Sequence, residues 1–95
     1  MPIANLRLIR DVAHHRSVSK AARLNQLSQS AASQAIAELE RELRVTLFDR
    51  GRRPLEVTEA GKLYLEYCKD ALRRREHREA EAARRKQARR EQNRL

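Results

Sequence analysis

Residues 28–42 read SQSAASQAIAELERE. The spacing predicts a helix over about 29–43, capped by Ser28, because a serine oxygen accepts from the free N–H groups of a first turn. Ala32, Ile36, Leu39 and Leu43 recur at i, i+4, i+7 and i+11, one continuous stripe for burial. The other side is unusual. Ser30, Ser33, Gln34, Ala37 and Arg41 lie toward it, and the first half of the helix carries no large apolar residue. A helix that only filled a core would not open with serine, glutamine and alanine. The opening half is suited to a polar surface that comes close.

Working outward, the next element upstream is short. Ser17 or Ser19 can cap a helix over "KAARLNQ", and Ala21 and Ala22 let another helix cross closely. Only a few residues separate this helix from the next, as in a helix-turn-helix. Before it, Leu6, Ile9, Val12 and Ala13 predict a first helix over about 3–14. Downstream the period changes. "VTLFDR" and "LEVT" flank "GRRP", which reads as a small hairpin with arginines at its tip. Gly51 permits the tight turn, and Pro54 suits a strand start or edge. Thr58 then looks like a cap. Ala60, Leu63, Tyr64, Tyr67, Cys68, Ala71 and Leu72 give the following helix an apolar face, with Leu63 and Tyr67 expected to turn inward.

The 95 residues suffice for one small domain. Lys+Arg 22 against Asp+Glu 13 gives a net charge of +9, which points to a polyanionic partner. The charge is uneven. Residues 1–72 hold 12 Lys/Arg and 9 Asp/Glu, whereas residues 73–95 hold 10 Lys/Arg and 4 Glu. The tail has Glu/Arg pairs at helical spacing, such as Glu81–Arg84 and Glu81–Arg85, but nothing large to bury before Leu95. It is expected to extend the last helix or to be disordered, fraying unless it binds something.

With 3% aromatic residues, a base-stacking surface for single strands is not expected. Cys68 stands alone, which excludes an internal disulfide and fits a reducing cytoplasm; it reads as a half-buried thiol. No apolar run is long enough for a membrane span. Two glycines leave no phosphate-cradling loop, and no cluster of acids, histidines or cysteines has catalytic or metal-ligand spacing. An enzyme, a metal site and a cofactor are therefore not expected.

The order of elements is mainly α: a winged helix-turn-helix with a three-helix core, a small β-hairpin wing and a long C-terminal linker helix. The residues sharpen this. Residues 3–72 resemble the N-terminal DNA-binding domain of LysR-type transcriptional regulators. The resemblance rests on Ala21–Ala22, Ser28–Gln29, Ser33, Ile36, Leu39–Glu40, Leu43, Leu47–Phe48, Arg50 and Thr58-Glu59-Ala60-Gly61. It implies a DNA-binding unit over 1–58, with the helix-turn-helix about 18–43 and the wing about 46–58. A linker and dimerisation helix over 59–72 and the basic tail 73–95 follow. The chain departs from the family at Asn25, where leucine is usual, which predicts a shifted or loosened end to the second helix. Arg16 and Arg44 stand where glycine commonly ends a helix; an arginine at φ > 0 there costs about 1 kcal/mol. Ser30 stands where proline is frequent. The family carries an effector-binding domain after the linker helix and these residues do not include one, so no small-molecule effector site is expected in this chain.

The function implied is sequence-specific binding of double-stranded DNA by a cytoplasmic, nucleoid-associated bacterial regulator. A recognition helix enters the major groove N-terminus first, so early residues meet bases. Gln29 and Gln34 can each pair with adenine, while Ser28, Ser30 and Ser33 suit phosphates or water-bridged contacts. The family's contact positions fall at Gln29, Ser30, Ser33 and Gln34. Arg52 or Arg53 at the wing tip suits an A·T-rich minor groove. Arg50 can pair with a phosphate or with Glu40, and Lys20 and Arg23 are phosphate candidates. Glu38, Glu40 and Glu42 would be repelled by phosphate, so the later half of the helix should tilt outward. The resemblance also implies a homodimer through Leu63, Tyr64, Tyr67, Cys68, Ala71 and Leu72, weak because the apolar face fades after Leu72. The tail would add sequence-independent phosphate contacts. Two other readings are open: a general nucleic-acid binder driven by the tail, and an interaction protein that heterodimerises with a full-length regulator.

Overall fold

Two serines start the helices of the turn motif. In the computed structural model, which describes residues 3–93, Ser17 caps a helix and its Oγ accepts from the Lys20 N–H at 3.1 Å. Ser28 does the same for the Ala31 N–H at 3.0 Å. The elements in order are α1 (Ile3–His15), α2 (Val18–Leu24), α3 (Gln29–Leu43), β1 (Phe48–Asp49), β2 (Glu56–Val57) and α4 (Glu59–Asn93). This is a winged helix-turn-helix followed by a long helix. Of the two candidate caps for α2, Ser17 is used, and Ser19 lies inside the first turn.

The ends of these helices depend on left-handed residues. Arg16 and Arg44 adopt φ of 51° and 57°, as their glycine-like positions predict. At the end of α3 the Val45 N–H bonds to the Glu40 carbonyl and the Arg44 N–H to the Arg41 carbonyl, a Schellman motif. Gln26 (φ 58°) closes α2 in the same way, through Leu27 N–H to Ala22 and Gln26 N–H to Arg23. Only residues 25–28 separate α2 from α3, so the chain must reverse at once. The end of α2 is not loosened by Asn25. Its Nδ2 donates to the Ala21 carbonyl at 2.8 Å and to the Asp11 carboxylate at 2.9 Å, fastening α2 to α1. Leu24, one place earlier, is left exposed.

The core is small and continuous. Leu6, Leu8, Ile9 and Val12 come from α1, Ala21 and Ala22 from α2, and Ala32, Ile36 and Leu39 from α3. Leu47, Phe48 and Leu55 come from the base of the wing, and Cys68 and Leu72 from α4. Ile36 is fully buried, worth about 2–3 kcal/mol of transfer free energy. The α3 stripe is shorter than its spacing predicts. It stops at Leu39, and Leu43 is 39% exposed because the Schellman turn leads the chain away there.

The wing is a minimal antiparallel pair, with Phe48 opposite Val57 and Asp49 opposite Glu56. Gly51 does not need its freedom: no glycine in the described residues has positive φ. Its N–H donates to the Asp49 carboxylate at 3.0 Å. The demanding glycine is Gly61. A Cβ there would sit 2.2 Å from the Leu47 carbonyl oxygen and 2.8 Å from a Val57 methyl. That close approach lets Thr58 cap α4: its Oγ1 accepts from the Gly61 N–H at 3.0 Å and donates to the Thr46 carbonyl at 2.5 Å, with the Leu47 carbonyl at 3.1 Å.

The line Gly61, Leu65, Cys68, Leu72 faces the body, at i, i+4, i+7 and i+11. Two expectations are corrected by it. Leu63 and Tyr67 point outward, 76% and 53% exposed, because they lie well round the helix from that line. Cys68 is fully buried rather than half-buried. The tail does not fray within the described residues: α4 runs unbroken to Asn93, and residues 94–95, with Leu95, lie outside them. Ion pairs Arg74–Asp70, Arg75–Glu79 and Arg84–Glu81 line its surface. Of the two pairs expected for Glu81, the one to Arg84 forms and the one to Arg85 does not.

Gly61→Ala should destabilise the fold by roughly 1–3 kcal/mol, since the colliding atoms are largely backbone. Denaturant unfolding of the two proteins measures this directly. An unchanged midpoint would show that α4 can lift off the Leu47 carbonyl at no cost.

Candidate nucleic-acid interface

The first turns of α3 stand on a buried base and expose a polar face. Ala32 and Ile36 hold the helix down, while Ser28, Gln29, Ser30 and Gln34 are exposed and Ser33 is half-buried. The exposed face opens into a cleft of about 410 Å³. Gln29 and Ser33 line it from α3. The wing contributes Arg50, Arg52, Arg53, Pro54 and Leu55, and the α1–α2 connection contributes Arg16, Ser17, Val18 and Ser19. Five of the residues singled out from sequence therefore converge. Ser28, Ser30, Gln34 and Lys20 are exposed nearby without lining the cleft.

Arg16 was not anticipated as part of this site. Its sequence signal concerned only backbone strain, yet its left-handed turn brings it to the cleft opposite the wing. Four arginines and no acid line the cleft, so its potential is positive. Arg52 is tethered by exposed pairs with Asp49 (3.4 Å) and Glu56 (3.9 Å), which are worth little and release readily. Arg16, Arg50 and Arg53 make no ion pair among the described residues. Arg50 does not reach Glu40, whose carboxylate accepts instead from the Leu47 N–H at 2.7 Å. Glu40 is thus a structural group; of the three acids of α3, only Glu38 and Glu42 are exposed.

A larger groove of about 690 Å³ runs between α1, β2 and α4. It mixes Asp11 and Glu56 with its cations and contains no residue of α3, so it lacks the polar probe and the uniform sign of the wing cleft. Among the described residues no group of His, Cys, Asp or Glu is placed to hold a metal, and no helix is long and apolar enough to cross a membrane.

Residues 3–62 match the family described as bacterial regulatory helix-turn-helix protein, lysR family. The chain belongs to this family. LysR-type relatives include a probable RuBisCO transcriptional regulator of Porphyra purpurea, 45% identical over 62 residues, or 65% of this chain and 20% of that protein. The HTH-type transcriptional regulator AlsR of Bacillus subtilis is 39% identical over 72 residues, 76% of this chain and 24% of that one. The chain thus spans about a fifth of the length of the curated relatives it matches. Among solved structures, the BenM DBD in complex with benA site 1 DNA superposes with a TM-score of 0.83 at 30% identity, covering 88% of this chain and 94% of that one. Vibrio fischeri DarR in complex with DNA gives 0.82 at 26% identity, covering 87% and 28%. These are regulators, and the LysR family is not a family of enzymes.

On α4 the residues expected to pair two LysR-type domains separate into two sets. Cys68 and Leu72 are buried in the domain's own core. Leu63 and Tyr67 are outside, with Tyr64 and Ala71 half-buried between, and the two tyrosine rings lie 5.6 Å apart. Burial pushes the Cys68 thiol up to about 11 from an ordinary 9.0. The Tyr64 hydroxyl goes up to about 12 from 10.0, chiefly by burial, with Cys68, Tyr67 and Glu42 adding to it. In both cases the unfolded chain ionises first. The stability they contribute is present below pH 9 and is lost as pH rises from about 9 to 11 for the thiol and from about 10 to 12 for the hydroxyl. Cys68→Ala should remove the first of these losses, which for a shift of this size is on the order of 2 kcal/mol. Thermal midpoints of both proteins at pH 8 and about pH 10.5 give the comparison. An equal drop in each would rule out the thiol as the cause.

Proposed function

We propose that this chain binds double-stranded DNA sequence-specifically, as the DNA-reading segment of a LysR-type transcriptional regulator. The first turns of α3 enter the major groove, and the wing arginines enter the flanking minor groove. The observation that carries this is the cleft in which Gln29 and Ser33 open onto Arg16, Arg50, Arg52 and Arg53 with no acid among them. The likeness to the BenM DBD in its DNA complex supports the same docking.

Small side chains at the start of α3 let the backbone approach the bases, and the helix N-terminus itself favours a phosphate. Gln29 and Gln34 supply adenine-specific pairs, each worth about 1–3 kcal/mol of discrimination. Ser28, Ser30, Ser33 and Lys20 hold phosphates or bridging waters and fix the register. Arg52 leaves its weak pairs with Asp49 and Glu56 for a groove whose potential is far more negative. Glu38 and Glu42 keep the far end of the helix off the backbone.

Selection of bound duplexes from a random pool at about physiological salt should return a two-fold, A·T-biased motif. Gln29→Ala and Gln34→Ala should change the recovered bases while the circular dichroism spectrum stays as it was. A pool that shows no enrichment would sink this reading.

Two copies pair through the exposed line of Leu63 and Tyr67, with Tyr64 and Ala71 beside it, and so read both halves of a symmetric site. The patch is small, so the dimer is weak. Leu63 is 76% exposed, so Leu63→Glu should leave the fold intact and lower the dimer fraction several-fold in sedimentation. If wild type and variant associate equally, another surface makes the dimer.

A further inference from the structure

Most cations of α4 beyond Leu72 gather on one face, with Arg73, Arg84 and Arg90 off it. At 3.6 residues per turn, Arg78, Arg85 and Arg89 fall on one line, at i, i+7 and i+11, with Arg75 and Lys86 beside it. Glu76 and Glu91 lie on the far side, Glu81 and Glu79 flank the stripe at its two edges, and Ala82, Gln92 and Asn93 fill it without charge. The ion pairs of this segment consume Arg74, Arg75 and Arg84. Arg78, Arg85, Lys86 and Arg89 have no ion-pair partner among the described residues, and all four are exposed. The three aligned guanidiniums span about 16 Å of helix axis.

We propose that this stripe is a second DNA contact, holding the phosphate backbone of the duplex that flanks the site read by α3, without regard to sequence. It rests on the function proposed above. The chemistry selects the partner. Residues 73–93 contain no apolar side chain larger than alanine, so the helix has no face to bury in a membrane and no anchor for a protein interface. They contain no aromatic ring other than that of His77, which leaves no stacking platform for single strands. What remains is a row of forked, always-charged donors at fixed spacing, suited to phosphate oxygens. Unbroken helix to Asn93 matters here, because a rigid row loses less freedom on binding than a disordered tail would.

The stripe continues the line of Leu63 and Tyr67, so a second copy of the chain is the rival occupant. The test uses the full chain and its Arg78→Gln/Arg85→Gln/Arg89→Gln variant, since glutamine preserves helix propensity. Two duplexes carry the selected site; one ends at its edge and the other extends about 10 base pairs on each side, matching the roughly 30 Å of helix beyond Leu72. Wild type should bind the longer duplex more tightly, and the variant should bind both equally. On the longer duplex the slope of log K against log salt should flatten by up to about 2.7, at about 0.9 per contact. Preference for the site over a scrambled sequence should not change. An unchanged slope and length dependence would overturn the stripe, as would a variant that loses only its dimer in sedimentation. Wild type that ignores the site while the variant still loses slope would fail the sequence-specific reading and leave the phosphate contact standing. No binding to any duplex would overturn both.

Discussion

The peptide unit of Leu47 is the joint on which the domain turns. Its N–H donates to the Glu40 carboxylate of α3 at 2.7 Å, a charge-assisted bond. Its carbonyl accepts from the Thr58 N–H at the start of α4 at 3.0 Å, while the Thr58 hydroxyl donates next to it, to the Thr46 carbonyl. Its side chain is fully buried. One residue thus ties α3, the wing and the long helix together. Losing either side would leave a polar group unpaired at a part-buried site, a loss of about 1–3 kcal/mol. Gly61 belongs to this joint because only a residue without a Cβ lets α4 begin against that carbonyl.

From that joint the polar face of α3 takes its position. The helix is fixed through Ala32, Ile36 and Leu39 on one side and through Glu40 at its later turn, so beyond the Ser28 cap and Ala32 its opening turns need contribute little to stability. They are free to be small and polar. The wing, held at its base by the same peptide, swings its arginines to within a single cleft of that face, and Arg16 closes the cleft from the other side. Electrostatics and sterics agree: the surface that can approach most closely is also the one lined only by positive charge.

Much of this was legible in the sequence where local physics decides. Ser28 and Thr58 announced their helices because a cap bonds within three residues, and the range of α3 followed from its period. The glycine-like roles of Arg16 and Arg44 came instead from the resemblance to the LysR-type domain, in which glycine commonly ends a helix at those positions. The rest depended on partners distant in the chain. Leu63 and Tyr67 look as apolar as Leu65 and Cys68, and only the packing of α4 against α1 and the wing decides which line goes in. Glu40 resembled its neighbours until the Leu47 N–H was placed beside it. Gln26 gave no sign of a left-handed turn, since the demand came from the short reversal between α2 and α3. Of the candidate cleft, the residues on α3 and the wing had been singled out from sequence, while Arg16 joins them only through the direction of its turn.

The continuity of α4 gives the joint at Thr58 a mechanical meaning. A helix of 35 residues is about 52 Å long and nearly rigid over that length. Anything that tilts its far end by 5 Å turns its base by only about 5°, and the base is bonded directly to Leu47 and through it to α3. Because Cys68 and Leu72 also pack into the core, the free arm is residues 73–93, about 31 Å of helix, and its tilt reaches the body through Leu72 before it reaches Thr58. Large displacements at its tip would arrive at the polar face of α3 as small rotations, the scale on which a side chain gains or loses a hydrogen bond.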